Sequence, residues 1–323
     1  MLQKVERRPA PQPATELPSP PRKGMVWIEG GEFLMGANNF YPEEAPVRRV
    51  SVESFWIDAT PVTNRQFAEF VDATGWVTEA EIPANPADYP GAKAEMLAPA
   101  SLVFTPSSGP VDLQNPSNWW TYVPGANWRH PYGPESSLDG LADHPVVHVT
   151  WHDVQAYSLW AGADMPTEKE WEYAARGGVD GAIYAWGDAL NPDGRQLANT
   201  WQGMFPYQNR GTDGWERTSP VGFYPANGYG LYDMIGNVWE WTSDWWSAKA
   251  QDVSGCCQSA GSAASINPSD PCRIPQKVLK GGSHLCAPNY CRRYRPAARH
   301  PHPVDTSTSH IGFRCIVRPT KAS

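Results

Sequence analysis

Two thiols stand five residues apart in KGGSHLCAPNYC, at Cys286 and Cys291, with glycines before them and the run RRYRPAAR directly after. Three chemistries suit such a pair. It could close a disulfide. It could supply half of a zinc site, which normally takes four ligands, and no C-x-x-C partner completes one. It could hold a soft cation of low coordination number, since Cu(I) favours thiolates and needs only two or three. Spacing alone leaves these open beside plain inert thiols. The arginines Arg292, Arg293, Arg295 and Arg299 favour thiolate by their charge; some of them can also pair with core carboxylates such as Glu240 or Asp305, and the two roles are compatible. Among the other cysteines, Cys256 and Cys257 are adjacent in a loop with Cys272 nearby, a pairing only for an oxidising setting. Cys315, in the apolar run GFRCIV, reads as a buried small side chain.

Oxygen donors form a second constellation. If VWEWT is a strand, alternation puts Trp239 and Trp241 on one face and Val238 and Glu240 on the other. A carboxylate among tryptophans is costly to bury unless paired. Asp233 and Glu240, seven residues apart across a Gly-Asn turn, could cage Ca²⁺ with turn carbonyls, or Glu240 could pair with an arginine. Asn199 and Asp213, each near a tryptophan, fit turn chemistry or a second calcium site. The eight histidines are scattered, with no helical H-x-x-x-H pair that carries a Glu, so a zincin has no foothold. G-x-S-x-G, Walker and dinucleotide fingerprints are absent too, so hydrolase, kinase and dehydrogenase readings have no foothold.

The elements that must position these groups are short. Thr63 with Gln66, Thr150, and Thr167 with Glu170 are caps for three helices of roughly three turns, ended by Gly75, Gly162 and Gly177. MVWIEGGEFLMG reads as two strands around a Glu-Gly-Gly turn, and KVLKGGSHL and HIGFRCIVR as further strands. Residues 83–125 and 248–276 read as long surface loops. Residues 1–24, with six prolines in the first 23, read as a disordered leader, and residues 25–320 as one domain. The 323 residues carry 16 Trp, 13 Tyr, 28 Gly and 33 Pro, which favours irregular structure pinned by large rings. A net charge of −8 gives no basic footprint for nucleic acid. No run approaches the ~18–20 apolar residues of a membrane span, and the N-terminus lacks a signal-peptide apolar core. The expected compartment is the cytoplasm, where thiols serve metals or redox chemistry more than cross-linking.

From about Met25 to Val317 the chain resembles the formylglycine-generating enzymes, or sulfatase-modifying factors. The resemblance rests on MVWIEGGEFLMG, GANWRHPYGP, DHPVVHVTWHD, MPTEKEWEYAARGG, NGYGLYDMIGNVWEWTSDWW, KGGSHLCAPNYCRRYRPAAR and DTSTSHIGFRC. Most of these motifs give only the fold of the wider superfamily; the thiol pair is the specific mark. The resemblance implies a single irregular α+β domain related to C-type lectins. It implies oxidation by O2 of the cysteine in a Cys-x-Pro-x-Arg motif of an unfolded sulfatase to Cα-formylglycine, with an external thiol reductant. It implies Cu(I) at Cys286 and Cys291, with Ser283 and Trp239 lining the oxygen pocket and Tyr290 and Arg293 beside it; His310, a further pocket candidate, stands where secreted members have Asn. Two structural Ca²⁺ sites are implied: Asn199 and Asp213 with the carbonyls of Thr200 and Trp215, and Asp233 and Glu240 with those of Gly236 and Val238. It leans towards a monomer. Ala175 and Pro296 stand where secreted members have cysteine, so Cys315 lacks their disulfide partner. The rival readings are a noncatalytic lectin-like binding protein and an iron-dependent sulfoxide synthase-like oxygenase. The latter needs a three-histidine site of the H-x3-H-x-E kind, which the chain lacks.

Overall fold

Each helix starts where its cap places it in this computed structural model, which describes residues 19–248 and 261–319. The side chains of Thr63 and Gln66 close a reciprocal box at the start of α1 (Asn64–Thr74), which Gly75 ends at φ 68°. Thr150 and Asp153 do the same for α2 (Trp151–Trp160), whose C-cap is Ala161 rather than Gly162. Thr167 and Glu170 start α3 (Glu168–Arg176), closed by Gly177 at φ 56°. Every box satisfies two otherwise orphaned backbone donors, so short helices survive without length.

The strands in chain order are β1 (Met25–Ile28), β2 (Gly31–Met35), β3 (Arg48–Val52), β4 (Phe55–Asp58), β5 (Ala100–Phe104), β6 (Trp120–Pro124), β7 (Trp239–Trp245), β8 (Gln276–Lys280), β9 (Arg299–Pro303), β10 (Ile311–Gly312) and β11 (Ile316–Val317). They make a four-stranded sheet in the order β10-β7-β8-β9, a three-stranded sheet β1-β4-β11, and the pairs β2-β3 and β5-β6. β1 and β2 flank the Glu-Gly-Gly turn but do not pair with each other; β1 runs against β4 and β2 against β3. Among the strands of the described residues only β10 is parallel to its neighbour, with Ile311 opposite Trp239.

Rings fill the space between these small sheets. Phe67 of α1 lies 5.1 Å from Trp128 and 5.9 Å from Tyr157, and Tyr157 lies 5.0 Å from Phe313. Each fully buried aromatic removes enough apolar surface to stabilise the fold by about 2–3 kcal/mol. Cys315 is buried in the same core, a free thiol beside the Ser158 hydroxyl.

Residues 83–125 are not simply a surface wrap. They contain the β5–β6 hairpin, whose Leu102 and Trp120 help wall a pocket. The strands are too short, and too interrupted by Pro and Ser, to show a period in sequence. Order begins before Met25, since Arg22 donates to both oxygens of Asp58 at 2.6 and 2.8 Å. Most of the expected leader, and Cys256 and Cys257, lie outside the described residues, so the pairing weighed for Cys272 does too; Cys272 itself is free and half-buried.

Candidate active site: a buried thiol pair

β8 ends at Lys280, and Gly281 and Gly282 turn the chain at φ 92° and 71°. A Cβ on Gly282 would stand 2.7 Å from the carbonyl oxygen of Arg293 and 2.8 Å from the backbone nitrogen of Tyr294. Only glycine lets these two segments pass so closely. Two turns follow. The Cys286 N–H donates to the Ser283 carbonyl at 2.9 Å, and the Cys291 N–H to the Ala287 carbonyl at 2.9 Å. They bring Cys286 Sγ and Cys291 Sγ to 3.2 Å. A disulfide measures about 2.05 Å, so both thiols are reduced and in contact.

The loop is anchored from behind. Trp201 N–H donates to the Cys286 carbonyl at 3.1 Å, and the Asn289 side chain both donates to and accepts from the Phe205 backbone. Tyr290 stacks on Phe205 with centroids 4.5 Å apart. Burial pushes the Cys286 thiol well up, and its contact with Cys291 adds to that. The hydrogen bond from Cys286 draws the Cys291 thiol down against its burial, helped by Arg293. The pair therefore titrates as a unit, with Cys291 its first thiolate.

A pocket of about 240 Å³ opens onto the sulfurs. Every pocket residue expected from sequence lines it: Ser283, Trp239, His310, Tyr290 and Arg293. Ser283 is fully buried, and its N–H points at Cys286 Sγ at 3.4 Å. Sequence reasoning missed His300 and His302, which line the pocket from β9. The period-two spacing of RHPHP held the signal, because alternation puts both rings on one face. His300 stacks on Trp239 at 5.7 Å, and His310 packs on Trp120 at 4.7 Å. The histidines that look scattered in sequence gather here. Burial first, then His284, His302, His300 and His148, push His310 well below the ordinary range. Burial likewise lowers His300 to about 3 and His302 to about 4, so the pocket wall is neutral imidazole. Among the described residues no three His, Cys, Asp or Glu side chains converge as metal ligands. The donor set at the thiols is instead two soft sulfurs 3.2 Å apart, which fits Cu(I) by number and softness.

The arginines pair differently from the sequence expectation. Arg293 donates to Glu43 at 2.7 Å, Arg295 grips Glu44, and Arg299 grips Glu168. Glu240 belongs to Arg314, whose guanidinium donates to both its oxygens at 2.8 Å, while Trp171 Nε1 donates at 2.7 Å. Asp305 accepts from the Tyr89 hydroxyl.

The two candidate calcium sets lie back to back: the Asn199 carbonyl accepts from Asn237 N–H at 2.9 Å, and a Cβ on Gly236 would fall 2.4 Å from it. Asn199 and Thr200 are buried, and Asp213 accepts from Trp215 N–H and the Tyr224 hydroxyl. With the Thr200 and Trp215 carbonyls this set is all oxygen and fits a hard cation. Asp233 accepts from Gly222 N–H at 2.8 Å, and burial raises it to about 6, with Glu240 raising it further against Gly222 and Arg314. A buried carboxylate without its own cationic partner fits a cation. Glu240 is already balanced, so an ion held there with the Gly236 and Val238 carbonyls would share Glu240 with Arg314.

Fold and site together define a loop-rich α+β protein that buries a reduced dithiol beneath an aromatic and imidazole-lined pocket. The chain belongs to the family described as the sulfatase-modifying factor enzyme 1-like domain, whose model matches residues 11–319. It is 55% identical to the formylglycine-generating enzyme of Mycobacterium tuberculosis, over 91% of this chain and 98% of that one. It is 44% identical to the Bos taurus formylglycine-generating enzyme, over 92% and 75%. It is also 37% identical to the inactive C-alpha-formylglycine-generating enzyme 2 of Mus musculus, over 90% and 84%, so overall likeness does not by itself carry activity. PvdO from Pseudomonas aeruginosa shares the fold with a TM-score of 0.58 at 23% identity, over 91% of this chain and 94% of its own. No helix among the described residues is long and apolar enough to cross a membrane.

Proposed function

We propose that this chain oxidises the cysteine of a Cys-x-Pro-x-Arg motif in an unfolded sulfatase polypeptide to Cα-formylglycine, with O2 as oxidant and an external thiol as reductant. The observation that carries this reading is the reduced pair Cys286–Cys291, 3.2 Å apart at a pocket open to a substrate side chain. The relatives named formylglycine-generating enzymes support the same reading. The chemistry balances. The substrate thiol loses two electrons and two protons to become a thioaldehyde, which water hydrolyses to the aldehyde and sulfide. Two molecules of external thiol supply the other two electrons and become a disulfide, and O2 leaves as water.

Cys286 and Cys291 would hold Cu(I), which supplies the O2 chemistry when bound. The remaining work falls to side chains. Tyr290 and Trp120 offer apolar walls to the peptide, and Trp239 closes the inner wall and limits water near the sulfurs. Ser283 fixes the direction of Cys286 through its backbone N–H, while its hydroxyl accepts from Leu285 N–H and holds the turn. The neutral imidazoles of His300, His302 and His310 add polarity without charge. Calcium at Asn199/Asp213 and at Asp233/Glu240 would be structural, bracing the turn whose Asn237 carbonyl accepts from His284 N–H at 3.0 Å. In this reading the enzyme works as a monomer in the cytoplasm, where thiols stay reduced.

The test is to load the reduced protein with Cu(I) and offer a Cys-x-Pro-x-Arg peptide, O2 and a thiol. One aldehyde and one sulfide per O2 consumed is the expected stoichiometry. Peptide binding with no aldehyde would favour a lectin-like binding protein instead.

A further inference from the structure

A five-residue segment near the N-terminus grips the chain that leaves Cys291. The Tyr41 hydroxyl accepts from Arg292 N–H at 3.0 Å. Arg293 donates to Glu43 at 2.7 Å, with its guanidinium 3.8 Å from the Tyr41 ring. Arg295 is held by both oxygens of Glu44 and lies 3.7 Å from the Phe40 ring. These contacts span some 250 residues of sequence.

The two ion pairs are not alike. Glu44–Arg295 is sealed from solvent, with side chains 0% and 1% exposed, and belongs to the scaffold. Glu43–Arg293 is about one-fifth exposed on each side and sits at the pocket edge. Arg293 is the one Lys, Arg, Asp or Glu among the described residues lining that pocket. It stands two residues beyond Cys291 and lines the same pocket as both cysteines, so its charge faces the site they share. A free arginine there would have many rotamers. The carboxylate and the ring reduce them to one, because a planar fork is fixed by one ion pair and one stacked face together.

We propose that Glu43 and Tyr41 are positioning residues of the thiol pocket, acting through Arg293, which they hold as the fixed counter-charge of Cys291. The inference rests on the proposed function for its purpose but not for its test. Two thiolates around a monovalent cation leave a net negative charge in a buried pocket, and an unbalanced buried charge is costly. Arg293 balances it only where Glu43 and Tyr41 keep it.

Two readouts need no turnover: the iodoacetamide labelling rate of Cys291 relative to Cys286 in the reduced, metal-free protein, and Cu(I) affinity by competition with a chromophoric chelator. Arg293→Ala is expected to lower both by roughly five-fold, Glu43→Gln to do nearly the same, and the double variant to go no lower than Arg293→Ala alone. Glu44→Gln is the scaffold control: it lowers the melting temperature and leaves the labelling ratio unchanged. If Glu43→Gln does not fold, Tyr41→Leu removes the stack and is expected to move both readouts the same way. Additive effects in the double variant would overturn the proposal. So would an unchanged ratio in Glu43→Gln, or an equal change in Glu44→Gln. None of these outcomes depends on whether a peptide is oxidised, so failure here is distinct from failure of the proposed activity.

Discussion

Replacing Gly282 by alanine should cost more than replacing Gly75, although their backbones sit at nearly the same positive φ, 71° and 68°. At Gly75 a new Cβ meets nothing within 4 Å, so the substitution bears only the left-handed penalty of about 1–2 kcal/mol. At Gly282 the Cβ falls 2.7 Å from the Arg293 oxygen and 2.8 Å from the Arg293 carbon and the Tyr294 nitrogen. All three are backbone atoms, which cannot rotate aside. Moving that segment adds about 1–3 kcal/mol, as overpacking does. At roughly 2–4 °C per kcal/mol for a domain somewhat smaller than this one, Gly75→Ala should melt a few degrees low and Gly282→Ala roughly 4–20 °C low. The displaced residues lie just after Cys291, so Gly282→Ala should also slow disulfide closure under a mild oxidant, while Gly75→Ala leaves it alone. Melting of the two reduced variants side by side is the assay. Equal melting temperatures with equal closure rates would refute the claim that close backbone approach sets the thiol pair.

Acid should weaken the fold through its buried neutral histidines. His148, bonded to the Ser101 hydroxyl and the Pro131 carbonyl, is lowered to about 4 by burial. The unfolded chain then binds more protons, so this stability is full above about pH 6.5 and is lost as pH falls towards 4. His148→Asn, tolerant of the φ of 61°, should give a shallower fall in melting temperature between pH 7 and 4.5, and an unchanged slope would contradict this. Glu240→Gln should destabilise by about 3–5 kcal/mol with or without calcium, because it strands Arg314; a loss seen only with calcium present would argue against the ion pair. Chelation of calcium should lower the wild-type melting temperature, and Asp233→Asn should shrink that response. An equal response in Asp233→Asn would remove Asp233 from the cation site.

The helix starts were legible because caps are local: the Thr63–Gln66 and Thr167–Glu170 boxes formed as expected, and Thr150 capped α2 with Asp153, a partner the sequence reading did not name. The face shared by Trp239 and Trp241 followed from period two, and both lie in the core of β7. The thiol contact was legible only as a spacing, since C-x4-C does not say how two turns will fold. Two turns bring the sulfurs together, and they are seated by the close approach of Gly282 to Arg293, a contact between segments. The β5–β6 wall was hidden in residues 83–125 for want of a clear period. The grip of Tyr41 and Glu43 on the arginines was invisible because nothing local links positions so far apart. Glu240 showed the limit from the other side: sequence left an arginine and a calcium ion as alternatives, and its arginine came from GFRC rather than from RRYRPAAR.

The central claim is that Cys286 and Cys291 together form the reactive centre. The measurement that tests it most directly is aldehyde formation on a Cys-x-Pro-x-Arg peptide by Cu(I)-loaded wild type, Cys286→Ser and Cys291→Ser, each checked for an unchanged melting profile. Turnover in wild type and none above background in either variant is the predicted result. Turnover retained by either serine variant would contradict the account.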